Sequence, residues 1–236
     1  MGLVPPEILR YVIARTKIKK HIDFDTGPSL FETADEYERL VSNPPEDKEL
    51  SKKKKVARDT ALGALRLSQV KRGDNASLST AGVSFRHLAM LAQIKSDDKD
   101  IWESLNRSQH LDGEPNQVLI NRLARMRNWI DSRHFPEDAR INIQEIISEE
   151  NKEKINNQQE EFLILLSSKL EKIEWNEKEI SESIRLVSSE ININRREAYV
   201  ALYILILGSE YGPRIASIMD EIGKETTLNI LSKSFQ

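Results

Sequence analysis

Apolar residues recur at three- and four-residue intervals along most of the chain, the spacing that places them on one face of an α-helix. The first stripe follows the helix-starting sequence Pro5-Pro6-Glu7, and its members are Ile8, Leu9, Val12 and Ile13. The same spacing predicts short helices over 31–41, 56–67 and 85–94, the last with Ser84 as its N-cap. Between the first two lies the Pro-Pro and charge-rich stretch 42–55, which is typical of a linker.

The middle of the chain continues the helical pattern. A loop is predicted over 71–84, and the segment 98–109 reads as another short helix that ends at the Asp112-Gly113 turn. A longer helix follows, and Pro136 closes it. Its apolar stripe comprises Leu119, Leu123, Met126 and Ile130. Because arginines flank this stripe on both sides, the helix combines a core face with basic edges.

The last third predicts a second helical unit. Asn176 with Glu179, and Asn194 with Glu197, resemble capping boxes that begin two of its helices. Gly208 suits the left-handed residue that ends the most apolar helix. Four or five helices joined by short loops imply a compact bundle. We therefore predict an all-α protein, a two-part helical bundle with a short connecting element at 1–45, a first unit at 46–148 and a second bundle at 149–236.

Composition limits the chemistry. The chain has no cysteine, and its four histidines never fall at the i, i+4 spacing of a helical metal pair, so no metal site is predicted. It shows no Gly-rich phosphate loop, nucleophile elbow or His-Glu-x-x-His motif. The first ten residues lack the apolar core of a signal peptide, and no run of about 18 apolar residues occurs. We expect a cytoplasmic protein with no catalytic, cofactor-binding or metal-binding residues.

Charge is unevenly distributed although the net charge is only −3. Acidic residues outnumber basic ones 17 to 11 within residues 145–236, whereas basic residues cluster at 10–20, 52–72 and 122–140. Clusters of this kind either are solvated helix faces or form a local field that attracts phosphates. Composition alone favours the solvated faces.

Five stretches, in order and across nearly the whole chain, match one family pattern. They are "PPEILRYVIARTKIKKHIDFD" (5–25), "DEYERL" (35–40), "LSQV" (67–70), "VSFRHLAMLAQI" (83–94) and "ALYILILGSEYGPRIASIM" (201–219). In this order they resemble the C-terminal portion of class I lysyl-tRNA synthetase. The resemblance implies a connecting element followed by a helical cage that contacts the anticodon stem and loop of tRNA(Lys).

The same resemblance places the catalytic chemistry elsewhere. In that family an N-terminal Rossmann domain binds ATP, with Mg²⁺, and lysine, and neither of its signature motifs occurs here. "LSKKKK" (50–55) matches one of them only superficially, since it follows the 5–25 stretch and has no Met. The resemblance thus implies that this chain alone is inactive in aminoacylation and holds no cofactor. Its implied partners are tRNA(Lys) and the missing catalytic domain, in cis or in trans, with no membrane.

Anticodon recognition needs aromatic or arginine planes against unstacked bases and basic groups near the backbone. The candidate tRNA-binding residues are Arg10, Arg15, Lys17, Lys19, Lys20, Arg86, His87, Arg122, Arg125, Arg127 and Arg214. For Arg214, a structural role in which it holds a nearby carboxylate or carbonyl is given the same weight as contact with RNA. The other hypothesis for the whole chain is a helical module of the same ancestry that now binds a protein partner, consistent with its acidic last third.

Overall fold

A computed structural model of the chain describes residues 2–17, 19–22, 24–45, 51–69 and 80–233. Within these ranges the protein contains α-helices, one 3₁₀ turn and no β-strand, which confirms the all-α prediction. The helices are α1 (Pro6–Arg15), α2 (Pro28–Ser42), α3 (Lys52–Ser68), α4 (Phe85–Ile94), α5 (Asp98–Arg107), α6 (Gln117–Ile130), α7 (Glu149–Glu153), α8 (Asn157–Leu170), α9 (Glu177–Glu190), α10 (Arg195–Leu207), α11 (Ile215–Ile222) and α12 (Lys224–Lys233). The 3₁₀ turn is Glu137–Ala139.

Two helices begin earlier than their apolar patterns predict. Helix α2 starts at Pro28, because proline is well suited to the first helical turn. Helix α3 starts at Lys52, so the lysines that were predicted to end a linker form its exposed first turn. The rest of that linker includes residues 46–50, and the predicted loop includes 71–79, which lie outside the described residues.

The chain forms two compact units, residues 1–137 and 138–236. Unit 1 has an aromatic core in which Trp129 lies 4.9 Å, between ring centroids, from both Phe31 and Phe135. The Trp129 indole donates a hydrogen bond to the carbonyl of Thr26, so its polar atom is satisfied inside the core. The predicted apolar stripe of α6 is buried except at its last member, Ile130, which is partly exposed. The neighbouring Trp129 is buried in the core instead.

Unit 2 is a bundle of helices around fully buried apolar side chains such as Phe162, Leu166 and Ile184. Asn176 caps α9 by accepting a hydrogen bond from the Glu179 backbone N–H. The reciprocal capping box forms instead at the start of α8, between Asn156 and Gln159, a pair with the same spacing for which no cap was predicted. The three-part division at 45 and 148 stays a prediction, beside the observed boundary at 137.

Candidate nucleic-acid interface

The arginine-rich helix α6 places one of its arginines in the interior of unit 1. The side chain of Arg122 is 1% exposed, and its guanidinium lies 3.1 Å from a carboxylate oxygen of Glu7 and 2.5 Å from one of Glu38. It also lies over the ring of Tyr37, 5.7 Å from the centroid. In this conformation Arg122 joins α1, α2 and α6 and presents no atom to a nucleic acid.

The other two candidate arginines of α6 also hold unit 1 together. Arg125 donates to the carbonyls of Gly2 and Val4, at 3.2 and 3.3 Å. Arg127 pairs with Asp98 at 2.8 Å and donates to two backbone carbonyls at the end of α4. Each guanidinium therefore fixes a different neighbouring segment. The basic edges of α6 are largely engaged in intramolecular contacts.

The basic candidates at the start of the chain divide into two groups. On α1, Arg10 donates to the carbonyl of Leu67 at 3.3 Å, and Arg15 pairs with Glu36. The three lysines that follow the helix are exposed, and they are Lys17, Lys19 and Lys20. Only this second group is available to a phosphate backbone without first breaking an interaction that the structure shows.

A tyrosine on α1 shares the Glu36 carboxylate. The Tyr11 hydroxyl donates to Glu36 at 2.8 Å, and the Arg15 guanidinium lies 5.5 Å from the centre of the Tyr11 ring. Burial, and after it the hydrogen bond to Glu36, raises the pKa of Tyr11 from its ordinary value of 10.0 to about 12. The cluster therefore holds the proton on the Tyr11 phenol to a higher pH than an unperturbed tyrosine would.

The first turn of α4 holds the candidates Arg86 and His87. Arg86 lies over the ring of Phe31, 4.9 Å from its centroid, and 3.5 Å from a carboxylate oxygen of Asp35. Arg86 lines a cleft of about 650 Å³. The charged residues that line this cleft are Glu32, Asp35, Glu36, Glu38, Arg39 and Arg86. Four carboxylates against two guanidiniums make this cleft unfavourable for phosphate.

The last candidate, Arg214, is largely exposed. Its side chain is 88% exposed, and it occupies the N-cap position of α11. The nearest carboxylate is that of Glu177, whose oxygen lies 3.9 Å away, at the limit of an ion pair. An ion pair between two such exposed groups contributes at most about 1 kcal/mol, so Glu177 can yield Arg214 to a phosphate or a base.

The loop that carries Arg214, residues 208–214, has a fixed backbone. Gly208 ends α10 at φ +70°, and a Cβ there would lie 1.9 Å from the side-chain nitrogen of Gln144. Gly212 approaches Leu207 closely enough that a Cβ would lie 2.8 Å from it. The hydroxyl of Tyr203 donates to the carbonyl of Pro213 at 2.8 Å. Rigid backbone of this kind positions exposed side chains for recognition before a ligand arrives.

Sequence reasoning missed the aromatic residue of this loop. Tyr211 is 62% exposed, and its own backbone carbonyl accepts a hydrogen bond from the Ser209 hydroxyl at 2.6 Å. Its neighbours in the sequence are Glu210 and Gly212, neither of which offers an apolar side chain for the ring to pack against. An aromatic residue in a short polar loop was the available signal. Tyr211 and Arg214 thus provide an aromatic and a cationic group on one loop.

In the part of the chain that the structure describes, no cluster of three or more acidic or histidine side chains is arranged to hold a metal ion. No helix among the described residues is both long and apolar enough to cross a bilayer. Whether any of the eleven candidates contacts tRNA stays a prediction. Their accessibility differs widely, from the buried Arg122 to the exposed Arg214.

Comparison with known proteins matches residues 117–234 to the family described as "Anticodon binding domain". Among curated proteins, the chain is 26% identical to the lysine–tRNA ligase of Thermoplasma volcanium over 97% of this chain and 42% of that protein. It is 27% identical to the lysine–tRNA ligase of Methanocaldococcus jannaschii over 95% of this chain and 43% of that one. It is 28% identical to the lysine–tRNA ligase of Archaeoglobus fulgidus over 94% of this chain and 40% of that protein. The chain therefore spans about two-fifths of the length of these relatives.

Proposed function

This chain belongs to the anticodon-binding domain family, and we propose that it binds the anticodon stem and loop of tRNA(Lys) as part of a lysine–tRNA ligase. The family supports an RNA ligand, and the relatives are lysine–tRNA ligases. The observation that carries the proposal is the loop 208–214, which lies within the matched region and exposes Tyr211 and Arg214 on a fixed backbone.

The chemistry of this loop suits an unpaired anticodon. Bases in single-stranded loops are splayed out, stack on aromatic rings and arginine planes, and are hydrogen-bonded along their edges. Tyr211 offers the ring, and Arg214 offers a planar group with five N–H donors. Unpaired bases with a flanking phosphate fit this pair better than duplex RNA, whose bases are stacked internally.

Positioning on the stem requires contacts to phosphates, which exposed lysines provide. Lys17, Lys19 and Lys20 follow α1 and are exposed, so we assign the backbone contacts to them. We assign Arg122, Arg125 and Arg127 to holding unit 1 together, since each is engaged by carboxylates or carbonyls. This division narrows the set of candidates that touch RNA directly.

The remaining activity of the ligase belongs, in this proposal, to a catalytic portion that binds ATP with Mg²⁺ and lysine, joined in cis or in trans. The chain covers 42% of the first relative, so most of that protein's length has no counterpart here. Leu9 and Ile13, one turn apart on α1, remain 39% and 50% exposed and offer an apolar surface to that portion. The cytoplasm, where tRNA is charged, is the proposed location.

A mobility-shift titration at physiological salt tests the RNA proposal. The purified chain is titrated with tRNA(Lys), with the same tRNA carrying an altered anticodon, and with an unrelated tRNA. We expect tRNA(Lys) to bind at least tenfold more tightly than the anticodon variant, because each wrong base loses stacking and hydrogen bonds. Equal affinity for all three RNAs, or no binding, would contradict the proposal.

Aminoacylation provides the second test. With lysine, ATP and Mg²⁺, the chain alone is expected to give no lysyl-tRNA and no exchange of pyrophosphate into ATP. Turnover by the 236-residue chain on its own would overturn the assignment of catalysis to another portion. Addition of a separately purified catalytic portion from a lysine–tRNA ligase should restore charging if the two associate in trans.

A second function, a helical module that binds a protein, is favoured by one observation. Leu9 and Ile13, one turn apart on α1, and Leu67, on the adjacent helix α3, are each at least 39% exposed. Exposed apolar side chains on adjacent helices are typical of an interface. A stable protein complex that survives ribonuclease, formed by a chain that does not bind tRNA, would favour this alternative over RNA binding.

A further inference from the structure

Two histidine rings stack on the surface of unit 1. His87 lies in the first turn of α4, and His110 lies in the turn that follows α5. Their ring centroids are 4.7 Å apart and their planes are inclined by 22°, a stacked geometry. His87 is partly buried, whereas His110 is exposed. The pair therefore forms a short aromatic stack that runs from the protein towards solvent.

The backbone of the turn holds the outer ring in place. Gln109 adopts φ +60°, an uncommon conformation for a residue other than glycine. The backbone N–H groups of His110 and Leu111 both donate to the carbonyl of Leu105, at 2.9 and 3.0 Å. The Nδ1 atom of His110 lies 2.9 Å from the hydroxyl oxygen of Ser108, which fixes the rotation of the ring.

Backbone hydrogen bonds close the turn, and the imidazole adds a single side-chain hydrogen bond, with the Ser108 hydroxyl. The His110 ring is therefore not required to close the turn, because the backbone hydrogen bonds to the Leu105 carbonyl already do so. A flat aromatic ring on an exposed residue, backed by another ring, is the kind of surface on which an unpaired base stacks. Because its position is fixed in advance, little side-chain entropy is lost on binding.

We propose that His110, backed by His87, is a stacking platform for one unpaired RNA base. The inference rests on the proposed function for the identity of the RNA, and it adds a contact in unit 1 to the loop 208–214 of unit 2. His87 supports the platform rather than touching the base, since its ring is covered by His110 on the stacked side. Histidine stacks in either protonation state, and the ring itself is the essential group.

The first experiment separates stacking from folding with three variants of the full chain. His110→Ala removes the ring, His110→Phe keeps a ring of similar size, and His134→Ala is the control at another exposed histidine of unit 1. We expect His110→Ala to weaken tRNA(Lys) binding by about tenfold or more, with His110→Phe and His134→Ala within about twofold of wild type. The thermal midpoint should change little in all three.

Three results would overturn the inference. These are wild-type affinity in His110→Ala, equal loss in His110→Phe and His110→Ala, or a loss of affinity that follows a matching fall in the thermal midpoint. The second result would assign the effect to the imidazole's hydrogen bond with Ser108 rather than to stacking. The third would assign the ring a structural role in the turn.

The second experiment detects the platform without tRNA. Proton NMR of the His110 ring is followed while hexaadenylate, a single-stranded probe, is added to the wild-type chain. An upfield shift of the ring protons is expected, because a stacked adenine shields them, and an unchanged spectrum counts against the platform. A shift with hexaadenylate in a chain that ignores tRNA(Lys) would uphold the platform and refute the proposed function. Tight tRNA(Lys) binding with no shift and no effect of His110→Ala would uphold the proposed function and refute the platform.

Discussion

Arg122 of α6 and Glu38 of α2 form an ion pair in the interior of unit 1, 2.5 Å from nitrogen to oxygen, with side chains 1% and 7% exposed. Glu38 also accepts hydrogen bonds from the hydroxyl of Thr80 at 2.7 Å and from the backbone N–H of Gly82 at 3.2 Å. One carboxylate therefore connects two helices to the segment that precedes α4. Such a group is expensive to leave unpaired, because the interior offers it no water.

The first prediction follows from this pair. Arg122→Met keeps the bulk of the side chain but leaves the carboxylates of Glu7 and Glu38 without a cation, so we expect the free energy of unfolding to fall by about 3–5 kcal/mol. Urea denaturation at pH 7 measures the change. Arg185→Ala, which breaks the exposed pair with Glu182 in unit 2, is the control and should leave the urea midpoint essentially unchanged.

A small effect of Arg122→Met, comparable with that of Arg185→Ala, would contradict the structural role assigned to Arg122. Loss of tRNA binding by Arg122→Met is informative only where the variant remains folded. Circular dichroism at the temperature of the binding assay therefore accompanies each measurement.

The second prediction concerns the loop 208–214. Tyr211→Ala removes a stacking surface, and we expect tRNA(Lys) binding to weaken by about 1–3 kcal/mol, while Tyr211→Phe keeps the ring and most of the affinity. Arg214→Ala removes one cation, and if Arg214 contacts a phosphate the slope of log affinity against log salt falls by about 1. Fluorescence anisotropy with a labelled anticodon stem-loop measures both. Arg185→Ala again serves as control, and a loss equal to that of Arg214→Ala would deny the loop a specific role.

The third prediction is a dependence of stability on alkaline pH. The pKa of Tyr11 is about 12 in the folded chain and near 10 when unfolded. Between these values the unfolded phenol loses its proton first, so the contribution of Tyr11 is complete below pH 10 and is lost as the pH rises towards 12. Burial also raises the pKa of Tyr37 and Tyr203, which adds to the decline.

Comparison with Tyr11→Phe isolates the contribution of that one phenol. Wild type should lose more stability than Tyr11→Phe between pH 10 and 12, and the difference between their unfolding free energies should be flat from pH 7 to 9. Parallel curves over the whole range would show that burial and Glu36 do not hold the proton on Tyr11.

The fourth prediction concerns the left-handed turn at Gly208. Gly208→Ala places a Cβ against the amide of Gln144 and at an unfavourable φ of +70°, whereas Gly223→Ala, at φ +88°, meets nothing within 4 Å. We expect Gly223→Ala to cost about 1–2 kcal/mol from the backbone alone and Gly208→Ala to cost more. Thermal unfolding of both, and of Gly208→Ala with Gln144→Ala, measures the steric part. No recovery in the double variant would argue against the clash.

Local sequence predicts much of the secondary structure. Helix α4 has the predicted bounds and Ser84 at its cap, and Gly208 has the predicted left-handed conformation. These features depend on residues within one or two turns, where capping groups and φ preferences act. The predicted start of α3 was four residues late, because the linker was extended from Pro44-Pro45 through Lys55, whereas lysines are good helix formers and the helix begins at Lys52.

The sequence by itself determined the all-α class, most helix positions and the residue types suited to RNA. The tertiary structure decided which of those residues remain accessible: it buries Arg122 between Glu7 and Glu38 while leaving Arg214 88% exposed. It also brings His110 onto His87 and exposes Tyr211. The physical reason is that a cation's availability depends on which carboxylates and carbonyls the fold brings to it. Those partners lie as far as 123 residues away in the sequence, as Gly2 does from Arg125.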